Sequence, residues 1–161
     1  MKTPNIPITR EVQEEIVHSL REINFPAHVK GYGYAKTALE IVLNNPESIE
    51  AITKELYPTV ARIHRTTPSR VERALRHGIE LIYDRNTPDD LNEYLGPSSW
   101  NKGKLTNSEF LAVMAENIRM ALDRFAELKE EVPQAGKKAI DDARLEQLRQ
   151  DLITLGVLKG D

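Results

Sequence analysis

Residues 66–77 read Thr66-Thr-Pro-Ser-Arg-Val-Glu-Arg-Ala-Leu-Arg-His77, a helix start running straight into an arginine-rich helix. Threonine followed by proline supplies an N-cap and a first-turn residue whose missing N–H would be unbonded anyway. Beyond it, Val71, Ala74, Leu75, Gly78, Ile79 and Ile82 recur at helical period, which predicts an inward face and a helix continuing to about Arg85. Ser69, Glu72, Arg73 and Arg76 form the opposite stripe, with Arg70 and His77 beside it. Upstream, Tyr57-Pro58 opens a short helix to His64. Residues 58–85 therefore have the short helix, tight turn and longer helix of a helix-turn-helix.

The rest of the chain is punctuated in the same way. Thr9 precedes Val12, Ile16, Leu20 and Ile23 on one helical face, and Asn24-Phe25-Pro26 ends that helix. Gly31 to Asn44 gives a second helix, and Asn45-Pro46-Glu47 predicts the start of a third that Tyr57-Pro58 breaks. Thr87-Pro88-Asp89-Asp90 begins a short helix closed by Gly96, and residues 97–105 predict a polar loop. Thr106-Asn-Ser-Glu109 is a capping box ahead of a helix through Met120 and Phe125. Pro133 and Gly136 predict an interruption, after which Ile140 to Leu155 forms a last helix stopped by Gly156. No segment alternates as a strand does, so the fold class is all-α.

The 161 residues carry a net charge of −3 and no cysteine, which excludes disulfides and thiolate metal sites. No apolar run approaches membrane-spanning length, and a cytoplasmic protein without membrane partners is expected. From Arg62 to His77 five arginines face one acid, Glu72, whereas acids are in excess elsewhere. A basic stripe on an acidic body suits duplex DNA as the partner and disfavours loose binding to any polyanion. The four histidines have no ligand spacing, the serines lack a nucleophile-elbow context, and Gly31-Tyr-Gly33 is too short to cradle phosphate. Neither an enzyme nor a cofactor or metal is expected.

The chemistry of the stripe fits base reading. Arginine makes two bonds to guanine O6 and N7, and glutamate accepts from the cytosine N4 amine. Arg70, Glu72 and Arg73 are the candidate base contacts. Arg65, Ser69, Arg76, His77, Lys102 and Lys104 are candidate phosphate contacts. On periodicity alone, the same face is also satisfied by a solvated charged stripe with an i,i+4 Glu72–Arg76 pair.

Four stretches together resemble a known family: Phe25-Pro-Ala-His-Val-Lys-Gly-Tyr32, Ile52-Thr-Lys-Glu-Leu-Tyr-Pro58, residues 66–77 above, and Thr106-Asn-Ser-Glu-Phe110. They are similar to the C-terminal effector domain of the stage-zero sporulation response regulator, over about residues 10–122. The resemblance implies a compact six-helix domain whose helix-turn-helix reads a box like TGTCGAA, with Ser69 to Arg73 matching the base-contacting motif. It implies duplex DNA and the housekeeping sigma factor as partners, the latter through a surface near Leu91 to Trp100 that includes Leu91 and Leu95. Leu95 stands where the family has phenylalanine, and Pro97-Ser98-Ser99 also differ. Full-length members carry a phosphoacceptor receiver, for which the residues before Thr9 are too few.

Residues 1–8 are thus expected to be a tail, 9–132 the DNA-binding domain, and 133–161 a helical extension. In the extension Ile140, Leu145, Leu148, Leu152 and Leu155 recur at roughly heptad steps. That stripe either folds onto its own domain or pairs two chains. Paired chains predict a homodimeric regulator, or a non-activating decoy that antagonises the full-length regulator.

Overall fold

The computed structural model describes residues 2–97, 99, 103–131 and 134–156. Among them are seven α-helices and no strand: α1 (Arg10–Glu22), α2 (Lys30–Asn44), α3 (Tyr57–Ile63), α4 (Pro68–Arg85), α5 (Pro88–Leu95), α6 (Asn107–Glu131) and α7 (Gln134–Thr154). The chain divides into two compact units, Met1–Leu122 and Asp123–Asp161. No helix among the described residues is long and apolar enough to cross a membrane.

The starts of α1, α4, α5 and α6 follow the capping chemistry of the sequence, whereas α2 and α3 begin at Val29 and Leu56 without a side-chain cap. Thr9 Oγ1 accepts from the Val12 N–H at 3.3 Å, and Thr87 and Asp90 close a reciprocal capping box ahead of α5. Bonds from the Thr87 N–H and hydroxyl hold the Asp90 carboxyl below the usual aspartate range. Thr106 and Glu109 form the same device before α6, with Thr106 N–H donating to Glu109 Oε1 and Glu109 N–H donating to Thr106 Oγ1. After α1, Asn24 adopts φ +59° and turns the chain, so that the Phe25 N–H reaches back to the Leu20 carbonyl.

The core of the first unit gathers buried side chains from α1 to α6, with α4 packed chiefly against α2 and α3. Ile16, Leu20, Leu39, Leu75, Ile82, Leu91, Phe110 and Ile118 are among its fully buried side chains. Two glycines set its tightest approaches. A Cβ at Gly31 would overlap the carbonyl oxygen of Ala74, which is α4 backbone. A Cβ at Gly78 would overlap the Phe25 ring, itself packed against Phe110 with centroids 6.1 Å apart.

Three segments differ from the sequence expectation. Residues 46–56 are not one helix but a 3₁₀ turn, Pro46–Ile49, and a π-helical turn, Ile52–Leu56, that leads directly into α3. Pro58 is the cause: it has no N–H, and its ring excludes the carbonyl four residues back. The turn therefore widens, with the Leu56 and Tyr57 N–H groups reaching the carbonyls of Ala51 and Ile52, five residues behind. Ser99, expected in a polar loop, is fully buried; its carbonyl accepts from Tyr83 Oη at 2.6 Å and its hydroxyl donates to the Leu91 carbonyl. Gly136 lies inside α7 instead of interrupting it, since one helical glycine costs only about 1 kcal/mol.

In the second unit, Gly156 at φ +77° stops the chain after α7 as expected. Phe125, Leu128, Leu145, Leu148 and Leu155 are exposed.

The glycine contacts make a stability prediction. Gly31→Ala and Gly78→Ala should each destabilise by about 1–3 kcal/mol through overpacking, seen as a lower urea midpoint at unchanged slope. Gly33→Ala is the contrast, because its Cβ would sit 3.7 Å from His64 Cε1, an ordinary contact. That variant should be neutral or stabilising.

Candidate nucleic-acid interface

The turn between α3 and α4 is fixed by local chemistry. His64 ends α3, and Arg65 takes φ +54°, a left-handed conformation that asparagine or glycine would adopt more easily. This lets the Thr66 N–H bond the Ala61 carbonyl at 2.9 Å and close the corner. Thr67 then caps α4, its Oγ1 accepting from the Arg70 N–H at 3.3 Å, and Pro68 fills the first turn. His64 is held from α2: its Nε2 lies 2.7 Å from Thr37 Oγ1, and its ring sits edge-on to Tyr34.

On α4 the two faces separate cleanly. Val71, Leu75, Gly78, Ile79 and Ile82 are buried, and Ala74 is half-buried because its backbone lies against Gly31. Ser69, Arg70, Arg73, Arg76 and His77 are exposed. Glu72, half-buried, is joined by an ion pair to Arg76 one turn on. At the surface such a pair adds little stability. Its consequence is geometric, since it holds the carboxylate along the exposed face. Arg65 and Lys104 are both exposed, whereas Lys102 lies outside the described residues. Arg76 and Lys104 line one cleft together with Tyr57 and Asn107.

Leu91 and Leu95, expected on a partner-binding surface, are corrected by the structure: they are 0% and 4% exposed and belong to the core. They are the apolar face of α5, whose solvent side carries Asp89, Asn92 and Glu93. Side chains committed to the core cannot also dock a partner.

Two residues that sequence reasoning left aside shape the site. Asn107, the first residue of α6, is buried, and its Nδ2 donates at 3.0 Å both to Tyr57 Oη and to the Glu72 carbonyl. One amide thus ties α3 and α6 to the second turn of α4, at the level of the exposed stripe. Its only sequence signal was the capping box around it, which says nothing of a distant partner. Lys30 begins α2 and lines a cleft with Arg70 and Arg73, a neighbourhood set by packing between residues some forty positions apart. Among the described residues no group of His, Asp or Glu is arranged to hold a metal.

Comparison with known families gives a match to the model described as "Sporulation initiation factor Spo0A C terminal" over residues 16–118. The chain belongs to this family, a DNA-binding effector domain that regulates transcription and is not an enzyme.

The polar tether behind α4 is testable. Asn107→Ala leaves a buried hydroxyl without its donor and should cost about 1–3 kcal/mol in denaturant unfolding. Burial pushes the hydroxyls of Tyr57 and Tyr83 above the ordinary tyrosine value of 10.0. The folded state therefore keeps these two protons where the unfolded chain loses them, so the tyrosines' contribution to stability should be constant below about pH 10 and fall above it. Tyr57→Phe and Tyr83→Phe should each flatten that alkaline fall in unfolding measured between neutral pH and pH 11. A slope unchanged in both variants would contradict the assignment.

Proposed function

We propose that this member of the Spo0A C-terminal family is a sequence-specific regulator of sporulation genes that reads a TGTCGAA-like box in the major groove. The observation that carries this reading is the division of α4. Arg70, Glu72 and Arg73 stand in its first two turns on the solvent side, while the opposite side is locked into the core. The N-terminal half of a recognition helix is the part that meets base edges. Arg70 and Arg73 each address a guanine through O6 and N7, and Glu72 accepts from the intervening cytosine N4. The alternation of basic, acidic and basic side chains matches the G, C and G of the box.

Arg65, Ser69, Arg76, His77 and Lys104 surround this centre and contact phosphates, with Lys102 assigned to the same role from sequence. Arg65 supports the assignment, because a left-handed backbone occupied by arginine instead of glycine or asparagine places a charge at the corner at a conformational cost. The DNA-binding domain spans residues 9–132, and 133–161 is an extension. The protein acts in the cytoplasm, on chromosomal DNA.

Replacing Arg73 by alanine should cost about 1–3 kcal/mol on the matched box and relax discrimination at one guanine. Lys104→Ala should instead weaken binding to all duplexes alike and lower the salt slope. Titrations of matched and guanine-substituted duplexes over a salt series separate the two. Equal losses on every duplex for both variants would refute the base-reading role.

A second reading concerns the extension. Leu145, Leu148 and Leu155 are exposed, and an apolar stripe of that kind favours association. Two chains joined through it would gain affinity for tandem boxes through effective concentration alone, whether as a dimeric repressor or as a decoy competing with a full-length activator. Sedimentation of the free protein should then give a dimer that becomes a monomer when the chain is cut after Glu131. A monomeric intact chain rules this reading out.

A further inference from the structure

We infer that Lys30, at the start of α2, closes a phosphate-binding cleft against the recognition helix and clamps the DNA backbone on the side of α4 away from Lys104. The inference rests on the DNA-reading role of α4 and extends it to an element outside the helix-turn-helix. Two adjoining clefts of about 490 and 440 Å³ share Lys30, Tyr34, Thr66 and Arg70. Arg73 completes the lining of one and Arg65 that of the other. No acid lines either cleft, and none of these four cations is ion-paired with an acid among the described residues.

Each cleft is thus lined by three like charges, which repel one another, and a bound anion reverses that cost. The cluster is built by packing. Lys30 is adjacent to Gly31, and Gly31 lets the α2 backbone come against the Ala74 carbonyl, one residue beyond Arg73. Thr66 and Tyr34 line both clefts, and the Tyr34 ring is braced by His64. The chemistry suits a singly charged phosphodiester: several cations, hydroxyl-bearing residues in the lining and no acid. The base-reading residues Arg70 and Arg73 belong to the same lining, so the ligand is a backbone phosphate of the same duplex.

The test is a set of DNA titrations with the full chain. Lys30→Ala should weaken binding several-fold on matched and guanine-substituted duplexes alike and reduce the slope of log affinity against log salt by about 0.9. The ratio between the two duplexes should not change. Lys30→Arg should restore the slope. Arg85→Ala makes the same charge change at the far end of α4 and should leave the slope nearly unaltered. The cleft is overturned if Lys30→Ala leaves affinity and slope intact while Arg73→Ala still relaxes discrimination, or if Arg85→Ala matches the Lys30→Ala loss. If instead Lys30→Ala lowers the slope but the unaltered protein prefers no duplex, the cleft stands and the base-reading assignment falls.

Discussion

The close approach of α2 to α4 governs the first unit. Where Gly31 meets the Ala74 carbonyl there is no side chain between the helices, and where Gly78 meets Phe25 an aromatic ring occupies the space of a Cβ. These contacts pin α4 in rotation and in height. Because interiors are packed as tightly as organic crystals, a displacement of even one methyl group would have to be absorbed by backbone. The exposed stripe of α4 owes its definition to that rigidity: Val71, Leu75, Ile79 and Ile82 are seated so fully that Arg70, Glu72 and Arg73 have one direction left to point.

Behind the stripe, polar contacts do the positioning that apolar packing cannot. The Asn107 amide bonds the Glu72 carbonyl and Tyr57, so α6 holds α4 at the level of Glu72. Glu72 is in turn joined to Arg76 on the surface. An acid within a basic stripe tempers attraction to phosphate in general and adds a base preference. Charge is distributed to the same end. The net charge is −3, yet the cations gather on the face formed by α4, the turn before it and the start of α2. A repelling body with an attracting face orients the duplex on approach.

Family resemblance and burial disagree at one place. The segment near Leu91 to Trp100 is where the resemblance locates a polymerase contact, but Leu91 and Leu95 are interior side chains that hold α5 against the core. A linear motif cannot distinguish a leucine that packs from one that docks, because the two differ only in which way the helix is turned. Residues 46–56 teach a similar lesson. Their caps and prolines predicted a helix, and Pro58 converted its end into a π-helical turn, a choice made by hydrogen-bond geometry at one residue.

Much of this protein is written locally. The caps at Thr9, Thr67, Thr87 and Thr106, the 3.6-residue period of α4, and the stop at Gly156 are short-range signals, and each was legible because the physics behind it involves neighbours within one or two turns. The identity of the candidate base-reading residues was legible for the same reason: they are whatever the buried period of α4 leaves outside. What the sequence left open were the partners separated by tens of residues: Asn107 with Glu72 and Tyr57, Lys30 with Arg70 and Arg73, His64 with Thr37, and the burial of Ser99 beneath Tyr83. None has a local signature, since a hydrogen bond or a shared cleft across the core depends on the relative placement of whole helices. That placement is decided by side-chain volume at the contacts, and by a missing Cβ at Gly31 and Gly78 most of all.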